Sequence, residues 1–211
     1  MSRFSRQKGL ADFSKTIVLI VGVGGVGSWT AIQLAEMGVK KLVLFDWDVV
    51  EECNLSRQFF IEKSLGMPKV SELKKTLKKI NKNVEVEAHA KKFTGIENLK
   101  VDYVLDGSDN RSARLAMDFF SLKNKVPWIF CGVKEFDLML STFIPSKTKP
   151  FKEIWNAKGS DDCTRVTAST VMAASSVQVS ELISLMAGKP NLAGKLFYGD
   201  IKTLNFKTIR I

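Results

Sequence analysis

The stretch that decides the fold runs from residue 17 to residue 29 and reads IVLIVGVGGVGSW. Its first five residues are all aliphatic and predict a short buried strand, and the glycines after them predict a tight turn. The pattern G-x-G-x-x-G is satisfied by Gly22, Gly24 and Gly27. Glycine lets the backbone turn sharply and approach phosphate oxygens, which the N-terminus of the following helix attracts. The stretch therefore predicts a strand–turn–helix unit that binds a nucleotide.

Strand-like and helix-like segments alternate along the rest of the chain. Strands are predicted over 41–46, 84–90, 101–106, 128–133 and 138–144, and helices over 28–37, 69–80, 110–123 and 167–186. The polar residues 146–165 predict a loop, and two short strand-like runs end the chain with YGD between them. Such alternation implies a mainly parallel sheet covered on both faces. We therefore predict a single domain, residues 1–211, with an α/β fold: a Rossmann-like, doubly wound, mainly parallel sheet with an additional antiparallel C-terminal part.

Composition limits the classes of protein to which the chain can belong. With 211 residues, 45% hydrophobic residues and 14 phenylalanines, it can bury a substantial core. The net charge of +10 favours an acidic partner, either a protein, a nucleotide or a nucleic acid, although lysines also form ordinary solvated helix faces. No apolar segment has the length of a membrane span or the position of a signal peptide. We therefore expect a cytoplasmic protein with no membrane partner.

The cysteines and the histidine predict no disulfide framework and no nucleophile–histidine pair. The three cysteines, Cys53, Cys131 and Cys163, are widely spaced and form no CxxC pair. Cys131 lies in the apolar run PWIFCGV and is expected in the core, whereas Cys53 is expected to be structural. The single histidine, His89, lies in a predicted strand and is expected to be an ordinary surface or partly buried residue. A Ser-His triad is therefore unsupported.

A group of polar residues distinguishes between the possible nucleotides. Asp46 ends the second predicted strand, 24 residues after Gly22, where a carboxylate can hold ribose hydroxyls. The segments DWDVVEECNLSRQFF and GMPK, 46–60 and 66–69, then supply Asn54, Arg57 and Lys69. Hydride transfer with NAD needs no such cations, but attack on the α-phosphate of ATP does, because charge develops as pyrophosphate leaves. The pattern favours ATP and adenylation.

A further pair of carboxylates follows another predicted strand. The segment VLDGSDN, 104–110, places Asp106 and Asp109 at the carboxyl end of that strand, where open α/β sheets bind ligands. Carboxylates are the protein ligands that Mg²⁺ prefers. The sequence therefore predicts that this edge of the sheet binds Mg²⁺ together with the nucleotide.

These residues also carry a resemblance that covers nearly the whole chain. The matching segments are RFSRQ, GVGGVGS, FDWD, NLSRQ, PK, DGSDN, LMAGKP and GKLFYGDIKTLNFKTIRI. The chain resembles the ThiF/MoeB/HesA family, which is related to the adenylation domains of ubiquitin-activating enzymes. The resemblance implies an adenylyltransferase that uses ATP and Mg²⁺. Its substrate would be the C-terminal Gly-Gly carboxylate of a small ubiquitin-like or sulfur-carrier protein, and its products an acyl-adenylate and pyrophosphate.

The resemblance also implies roles for individual residues. Asp46 would hold ribose, Asp109 would bind Mg²⁺, and Arg6 would act as an arginine finger in the neighbouring subunit of a homodimer. The residues predicted to bind the cofactor are Gly22, Gly24, Gly25, Gly27, Asp46, Asp48, Asn54, Arg57, Gln58, Lys69 and Asp109. The residues predicted to be catalytic are Arg6, Arg57, Lys69, Asp109 and Cys163.

The sequence departs from many members of this family in one respect and leaves a second feature open. Many relatives bind a structural zinc through two CxxC pairs, but residues 145–162 here contain no cysteine, so no structural zinc is expected. Some relatives carry a cysteine just before the long helix that accepts the activated carrier, and DDCTRV puts Cys163 at that place. Arg165 and a helix N-terminus would lower its pKa, whereas Asp161 and Asp162 would raise it. Both a catalytic and an inert Cys163 remain open.

Three alternatives to carrier activation are compatible with parts of the sequence. A related branch uses the same ATP site to dehydrate threonylcarbamoyladenosine in tRNA, and GVGSW together with the net charge of +10 fits it. An NAD oxidoreductase would leave the phosphate cations unexplained. A non-catalytic nucleotide-binding scaffold would leave unexplained why every position of the ATP site carries a competent residue.

Overall fold

The computed structural model describes residues 3–155 and 165–211. The strands are β1 (Ile17–Val21), β2 (Lys41–Phe45), β3 (Glu85–His89), β4 (Tyr103–Asp106), β5 (Trp128–Lys134), β6 (Asp137–Phe143), β7 (Lys195–Asp200) and β8 (Asn205–Arg210). The helices are α1 (Gly25–Glu36), α2 (Lys69–Ile80), α3 (Arg111–Asn124), α4 (Phe151–Ile154) and α5 (Ala168–Met186). Short 3₁₀ helices cover Ser5–Gln7, Glu52–Asn54 and Glu62–Ser64.

The strands form one sheet of eight in the order β3-β2-β1-β4-β5-β6-β7-β8. The first five strands in this order are parallel, and β6, β7 and β8 add an antiparallel part. The predicted fold class is confirmed. The chain order reverses between β1 and β4, and open α/β sheets bind ligands at the carboxyl ends of strands beside such a reversal.

Alternating side chains of the central strand bury the two faces of the sheet. Val18 and Ile20 of β1 enter a core shared with α1, α2 and α5, whereas Leu19 and Val21 enter a core shared with α3 and α4. Helices therefore cover both faces of the sheet, as the sequence predicts, and the cores between helices and sheet are apolar. None of the helices in the described residues has the length and apolar character needed to cross a bilayer.

Two details differ from the sequence-based prediction. The tripeptide YGD, 198–200, was expected between the last two strands, but it lies within β7. Gly199 is opposite Leu138 in the sheet, and a Cβ on it would come within 2.6 Å of the Phe206 ring, so packing rather than a turn accounts for this glycine. The predicted loop over 146–165 contains α4, whose first backbone N–H groups donate to the buried Asp118 carboxylate.

One buried amide joins three elements beneath the glycine turn. The Gln178 side chain on α5 accepts a hydrogen bond from the Thr30 hydroxyl of α1, with 2.8 Å between the oxygens. Its amide nitrogen donates to the carbonyl of Asp106 at the end of β4, at 2.9 Å. Because these groups are buried, each needs such a partner. Gln178 therefore fixes α1 and α5 relative to the strand end that adjoins the turn.

Candidate active site

The glycine turn after β1 is set by close contact with a second turn, which follows β4. Gly22 has φ +84°, and a Cβ on it would lie 2.7 Å from the carbonyl carbon of Gly107. A Cβ on Gly27 would lie 1.9 Å from the Gly22 oxygen, and one on Gly107 would lie 2.2 Å from that oxygen. Side chains at these positions would clash with backbone, so packing of the protein itself requires the glycines. Gly107 stands in DGSDN, but no sequence pattern marks it as a partner of the glycine turn.

The other two glycines of the turn differ from each other. A Cβ on Gly25 would come within 2.9 Å of Val171 on α5, so this glycine allows α5 to approach. A Cβ on Gly24 would meet only the Gln58 amide, at an ordinary 3.6 Å. Gly24 is the N-cap of α1, and among the described residues no side chain caps it. The first amides of α1 therefore lack a side-chain acceptor, and such uncapped amides are the groups that bind anions at helix N-termini.

Asp46 joins the end of β2 to this turn. Its carboxylate is buried, and its two oxygens accept hydrogen bonds from the backbone nitrogens of Val23 and Asp48, each at 2.8 Å. Burial raises the pKa of the Asp46 carboxyl, while the hydrogen bonds from Asp48 and Val23 and the charge of Lys69 act in the opposite direction. Each carboxylate oxygen keeps a further acceptor site. The geometry thus leaves Asp46 able to accept from a ligand hydroxyl.

Lys69 closes the segment that connects β2 to α2. Its ammonium lies 2.9 Å from the Asp48 carboxylate, and its backbone nitrogen donates to the Asp48 carbonyl at 3.0 Å. Backbone hydrogen bonds between Val50 and Met67 and between Gly66 and Val50 hold the same segment. The Lys69 side chain is buried, whereas the Asp48 side chain is more exposed. The pair therefore meets solvent on the Asp48 side, and a phosphate would have to displace the Asp48 carboxylate to contact Lys69.

The NLSRQ residues pack against the first turn of α1. The Trp29 indole donates to the Arg57 carbonyl at 3.2 Å, and the Phe59 nitrogen donates to the Ser28 hydroxyl at 3.2 Å. Gln58 is only 7% exposed, and its buried carbonyl oxygen has no hydrogen-bond partner among the described residues. A buried polar atom without a partner is unusual, and a donor from a bound ligand is one way to satisfy the Gln58 oxygen.

The Asn54 and Arg57 side chains of NLSRQ hydrogen-bond to Cys53. The Arg57 guanidinium donates to the Cys53 carbonyl at 2.7 Å, which orients it along the short 3₁₀ helix. In the part of the chain that the structure describes, the amide nitrogen of the buried Asn54 donates to the Cys53 sulfur alone, at 3.5 Å, and sulfur is a weak acceptor. Cys53 itself is exposed. Asn54 and Arg57 thus keep donors available for a stronger acceptor.

Two neighbouring aspartates after β4 have different environments. The carboxylate of Asp106 is fully buried and accepts from the Ser108 nitrogen and hydroxyl and from the Arg114 guanidinium, the last at 2.9 Å. Asp109 is exposed, and its described contact is a 3.3 Å hydrogen bond from Asn110. Asp106 therefore fixes the turn, and Asp109 is available to a ligand.

Arg114 was not identified from the sequence. It follows Asp106 by eight residues and lies in the first turn of α3, and its guanidinium also donates to the carbonyls of Ser108 and Cys131. It additionally lies 4.9 Å from the centre of the Phe130 ring. These contacts connect the Gly107–Asp109 turn to α3 and β5. The signal in the sequence is an arginine near the start of α3, on the side of the helix that faces the end of β4.

The residues after β4 fit a magnesium ion that is held mainly by phosphates. In residues 3–155 and 165–211, no group of three or more His, Cys, Asp or Glu side chains is placed to hold a metal. Mg²⁺ commonly binds through one or two carboxylates, with phosphate oxygens and water completing its shell. Asp109 can supply one such carboxylate, whereas Asp106 is engaged by Arg114.

Arg6 lies far from the glycine turn of its own chain. Its 3₁₀ helix packs at the C-terminal end of α1, where Gln7 donates to the Met37 carbonyl at 2.7 Å and Phe4 covers Gly38. The twelve residues of α1 separate the two places by about 18 Å. Arg6 is exposed. Cys163, which was also predicted to be catalytic, lies outside the described residues.

The structure places the other singled-out residues in ordinary environments. Cys131 is buried in the core as expected, and burial raises the pKa of its thiol. His89 is partly buried on β3, where it stacks on Phe45 and hydrogen-bonds Glu87. Among residues 3–155 and 165–211, His89 hydrogen-bonds to Glu87 and not to a nucleophile.

The model of the ThiF family matches residues 1–211. The chain belongs to the ThiF family. It is 40% identical over 134 residues to the ubiquitin-like modifier-activating enzyme 5 of Drosophila mojavensis, covering 56% of this chain and 34% of the relative. It is also 40% identical over 142 residues to the same enzyme of Branchiostoma floridae, covering 60% and 34%. The chain thus spans about a third of the length of these curated relatives.

Solved structures of other proteins share the fold. E. coli MccB with ATP superposes with a TM-score of 0.85 at 18% identity, covering 99% of this chain and 70% of that one. PaaA superposes with a TM-score of 0.80 at 22% identity, covering 94% and 65%. At these identities the likeness establishes the shared fold alone. The roles of individual residues therefore rest on the geometry of this chain.

Proposed function

We propose that this chain, acting as a single cytoplasmic domain, adenylates the C-terminal carboxylate of a small ubiquitin-like or sulfur-carrier protein that ends in Gly-Gly. One observation carries the proposal. The uncapped N-terminus of α1, the acceptor Asp46 and the donor-rich segment around Asn54 and Arg57 meet at one edge of the sheet. This set matches the parts of ATP: an anion at the helix, a diol at the carboxylate and further phosphates at the cations.

The reaction needs charge stabilisation more than proton transfer. The carboxylate of the carrier is already ionised near neutral pH, so its oxygen can attack the α-phosphorus without a general base. A new carbon–oxygen–phosphorus link forms as the bond to pyrophosphate breaks, and pyrophosphate leaves with the electron pair. Arg57 and Lys69 would balance the charge on the leaving group. Lys69 would exchange its contact with Asp48 for a phosphate oxygen.

Asp109 would hold Mg²⁺ together with the phosphates. The bound ion would neutralise charge on the triphosphate, which lowers the barrier to departure of pyrophosphate. Cys163 would accept the acyl group from the adenylate as a thioester, with AMP as the leaving group. This last step rests on the position of Cys163 before α5 in the sequence.

The partner is inferred from relatives and charge. Relatives at 40% identity are named ubiquitin-like modifier-activating enzymes, and MccB has been solved with AMPCPP and MccA. The net charge of +10 suits an acidic carrier, whose approach would be accelerated in a salt-dependent manner. The long helix α5 and residues 146–165 would form one wall of the groove for the carrier tail, and the exposed Lys152 of α4 would then meet an acidic carrier surface.

A homodimer is part of the proposal because Arg6 cannot serve its own glycine turn. The arm that carries Arg6 is attached to the far end of α1, so an arginine finger from this segment must act on a second copy. A symmetric dimer would give each site one arm.

Pyrophosphate exchange tests the proposal directly. We expect exchange of labelled pyrophosphate into ATP only when a small protein ending in Gly-Gly is present, and none with the same protein carrying a C-terminal amide. Cys163→Ser should leave exchange intact and remove any covalent adduct. Exchange that ignores the carrier, with ATP turnover stimulated by modified tRNA, would instead support the tRNA dehydratase. Calorimetry that detects NAD but not ATP would overturn both.

A further inference from the structure

The outward face of α2 is a dense row of lysines that the proposed reaction does not use. The four exposed lysines of the helix are Lys74, Lys75, Lys78 and Lys79. At 3.6 residues per turn, they fall within an arc of about 140°. The opposite side of the helix buries Val70, Leu73 and Leu77 in the core. The lysines therefore form one continuous solvent-facing surface, which we call the α2 lysine face.

Neighbouring residues extend the positive charge of this face. Between residues 72 and 85 there are five lysines and two glutamates, which leaves a charge of +3. The exposed Lys82 follows the helix, and the Arg3 guanidinium donates to the Ile80 carbonyl at 2.6 Å, which adds a cation at the same end. Of the two acids, Glu72 is held by Lys75 and Ser64, and the hydrogen bond from Lys75 lowers its pKa. Most of the positive charge is therefore uncompensated.

We propose that the α2 lysine face binds the phosphate backbone of a nucleic acid. None of the exposed large hydrophobic side chains lies on α2, whereas interfaces between proteins bury an apolar centre from which lysine is depleted. Nucleic-acid interfaces are polar and positively charged, as this face is. Lysines four residues apart on a helix repel each other. A row of phosphates beside them would offset this repulsion, because each ammonium attracts a phosphate.

The face is separate from the proposed ATP site but adjacent to it. Lys69, the first residue of α2, belongs to the site, and Lys74 follows about 7.5 Å further along the helix axis. From there the charge continues to the far end of the helix, where Arg3 is bound. A bound nucleic acid would lie along α2 without occupying the glycine turn.

Binding of a fluorescein-labelled RNA hairpin at several salt concentrations tests the proposal. The variant replaces the lysines that are not paired with an acid, Lys74, Lys78, Lys79 and Lys82, by glutamine. The matched control replaces Lys189, Lys195, Lys202 and Lys207, which are also exposed. We expect the first variant to bind more than tenfold more weakly and its salt slope to fall by about 3, because each lost phosphate contact contributes about 0.7–0.9. The control should resemble the wild type.

Three outcomes would overturn the proposal, once thermal melting shows that both variants are folded. The wild type could fail to bind RNA at physiological salt. Both variants could lose the same affinity, which would assign binding to net charge rather than to α2. The first variant could bind RNA normally but need more Gly-Gly protein for pyrophosphate exchange, which would make the face a docking surface for the carrier. Unchanged exchange with weakened RNA binding supports the proposal whether or not the carrier is correctly identified.

Discussion

The two stretches that frame the candidate site are held in place by different means. The glycine turn is fixed by backbone packed against backbone, with Gly22, Gly27 and Gly107 in mutual contact. The segment between β2 and α2 is fixed by separate hydrogen bonds and one ion pair. Among the described residues, its Asn54 amide donates only to a sulfur and its Gln58 carbonyl oxygen has no hydrogen-bond partner. The turn is therefore a scaffold that is complete without ligand. The segment is the part that a ligand would complete, so substitutions in the two should separate loss of fold from loss of activity.

The sharpest contrast lies within the turn itself. Gly27→Ala should unfold the protein or destabilise it by more than about 3 kcal/mol, because its Cβ would stand 1.9 Å from the Gly22 oxygen. Gly24→Ala should change the free energy of unfolding by less than about 0.5 kcal/mol but weaken ATP binding at the α1 N-terminus. Urea unfolding and calorimetry measure the two effects. Equal destabilisation by both variants would contradict the distinction between scaffold and ligand-facing glycines.

The turn after β4 should depend on Arg114 almost as strongly. Arg114→Met leaves the fully buried Asp106 carboxylate without its cation, and breaking such a pair costs about 3 kcal/mol. Arg111→Met on the same helix removes one described hydrogen bond, 3.3 Å long, to the Trp155 carbonyl and should cost less than about 1 kcal/mol. Urea unfolding of the two variants side by side gives the comparison. If Arg111→Met is the more damaging, Asp106 does not organise this turn.

Asp46 belongs to both stretches, because it joins the end of β2 to the turn. Burial raises the pKa of its carboxyl, so this group gains its proton at a higher pH than an ordinary aspartate. Protonation removes an acceptor, so ATP affinity should fall on acidification through that raised pKa. For folding the sign is opposite: the ionised buried carboxyl costs stability, and this cost appears as pH rises through the raised pKa.

Asp46→Asn isolates this group from the other acids of the chain. The variant should bind ATP about tenfold or more weakly and show no acid-dependent fall in ATP affinity over the same range. Calorimetric titrations of both proteins across mildly acidic pH provide the measurement. A wild-type affinity that is flat with pH would remove Asp46 from the nucleotide site.

The smallest effect on folding is expected at Arg6. Because Arg6 is exposed, Arg6→Ala should leave stability within about 0.5 kcal/mol of the wild type while abolishing pyrophosphate exchange. Mixing Arg6→Ala with Asp109→Ala should restore part of the exchange, since each mixed dimer has one intact composite site. Verified subunit exchange without recovery would show that Arg6 does not act across a dimer.

The sequence predicted local structure well and contacts between distant segments poorly. The bounds of β1 and α2 agree with the prediction because an aliphatic run and an amphipathic period are local signals. The role of Gly107 was missed because its reason is a backbone 85 residues earlier, at Gly22. YGD was misassigned because a glycine within a strand looks like a turn until the Phe206 ring that covers it is known. Arg114 was missed because its contacts with Asp106 and Cys131 become apparent only when the end of β4, the start of α3 and β5 are placed together.

The buried amide of Gln178 determines which segments must be transferred with the glycine turn if the turn is grafted into another protein. A graft of residues 17–36 alone would carry Thr30 without its acceptor and would leave behind Val171, against which Gly25 packs. It would also separate the turn from the end of β4, where the same amide binds a carbonyl. A graft that keeps the conformation of the turn therefore needs three segments that are far apart in the chain. A design that copies the motif as one continuous peptide would reproduce its sequence without the contacts that hold it.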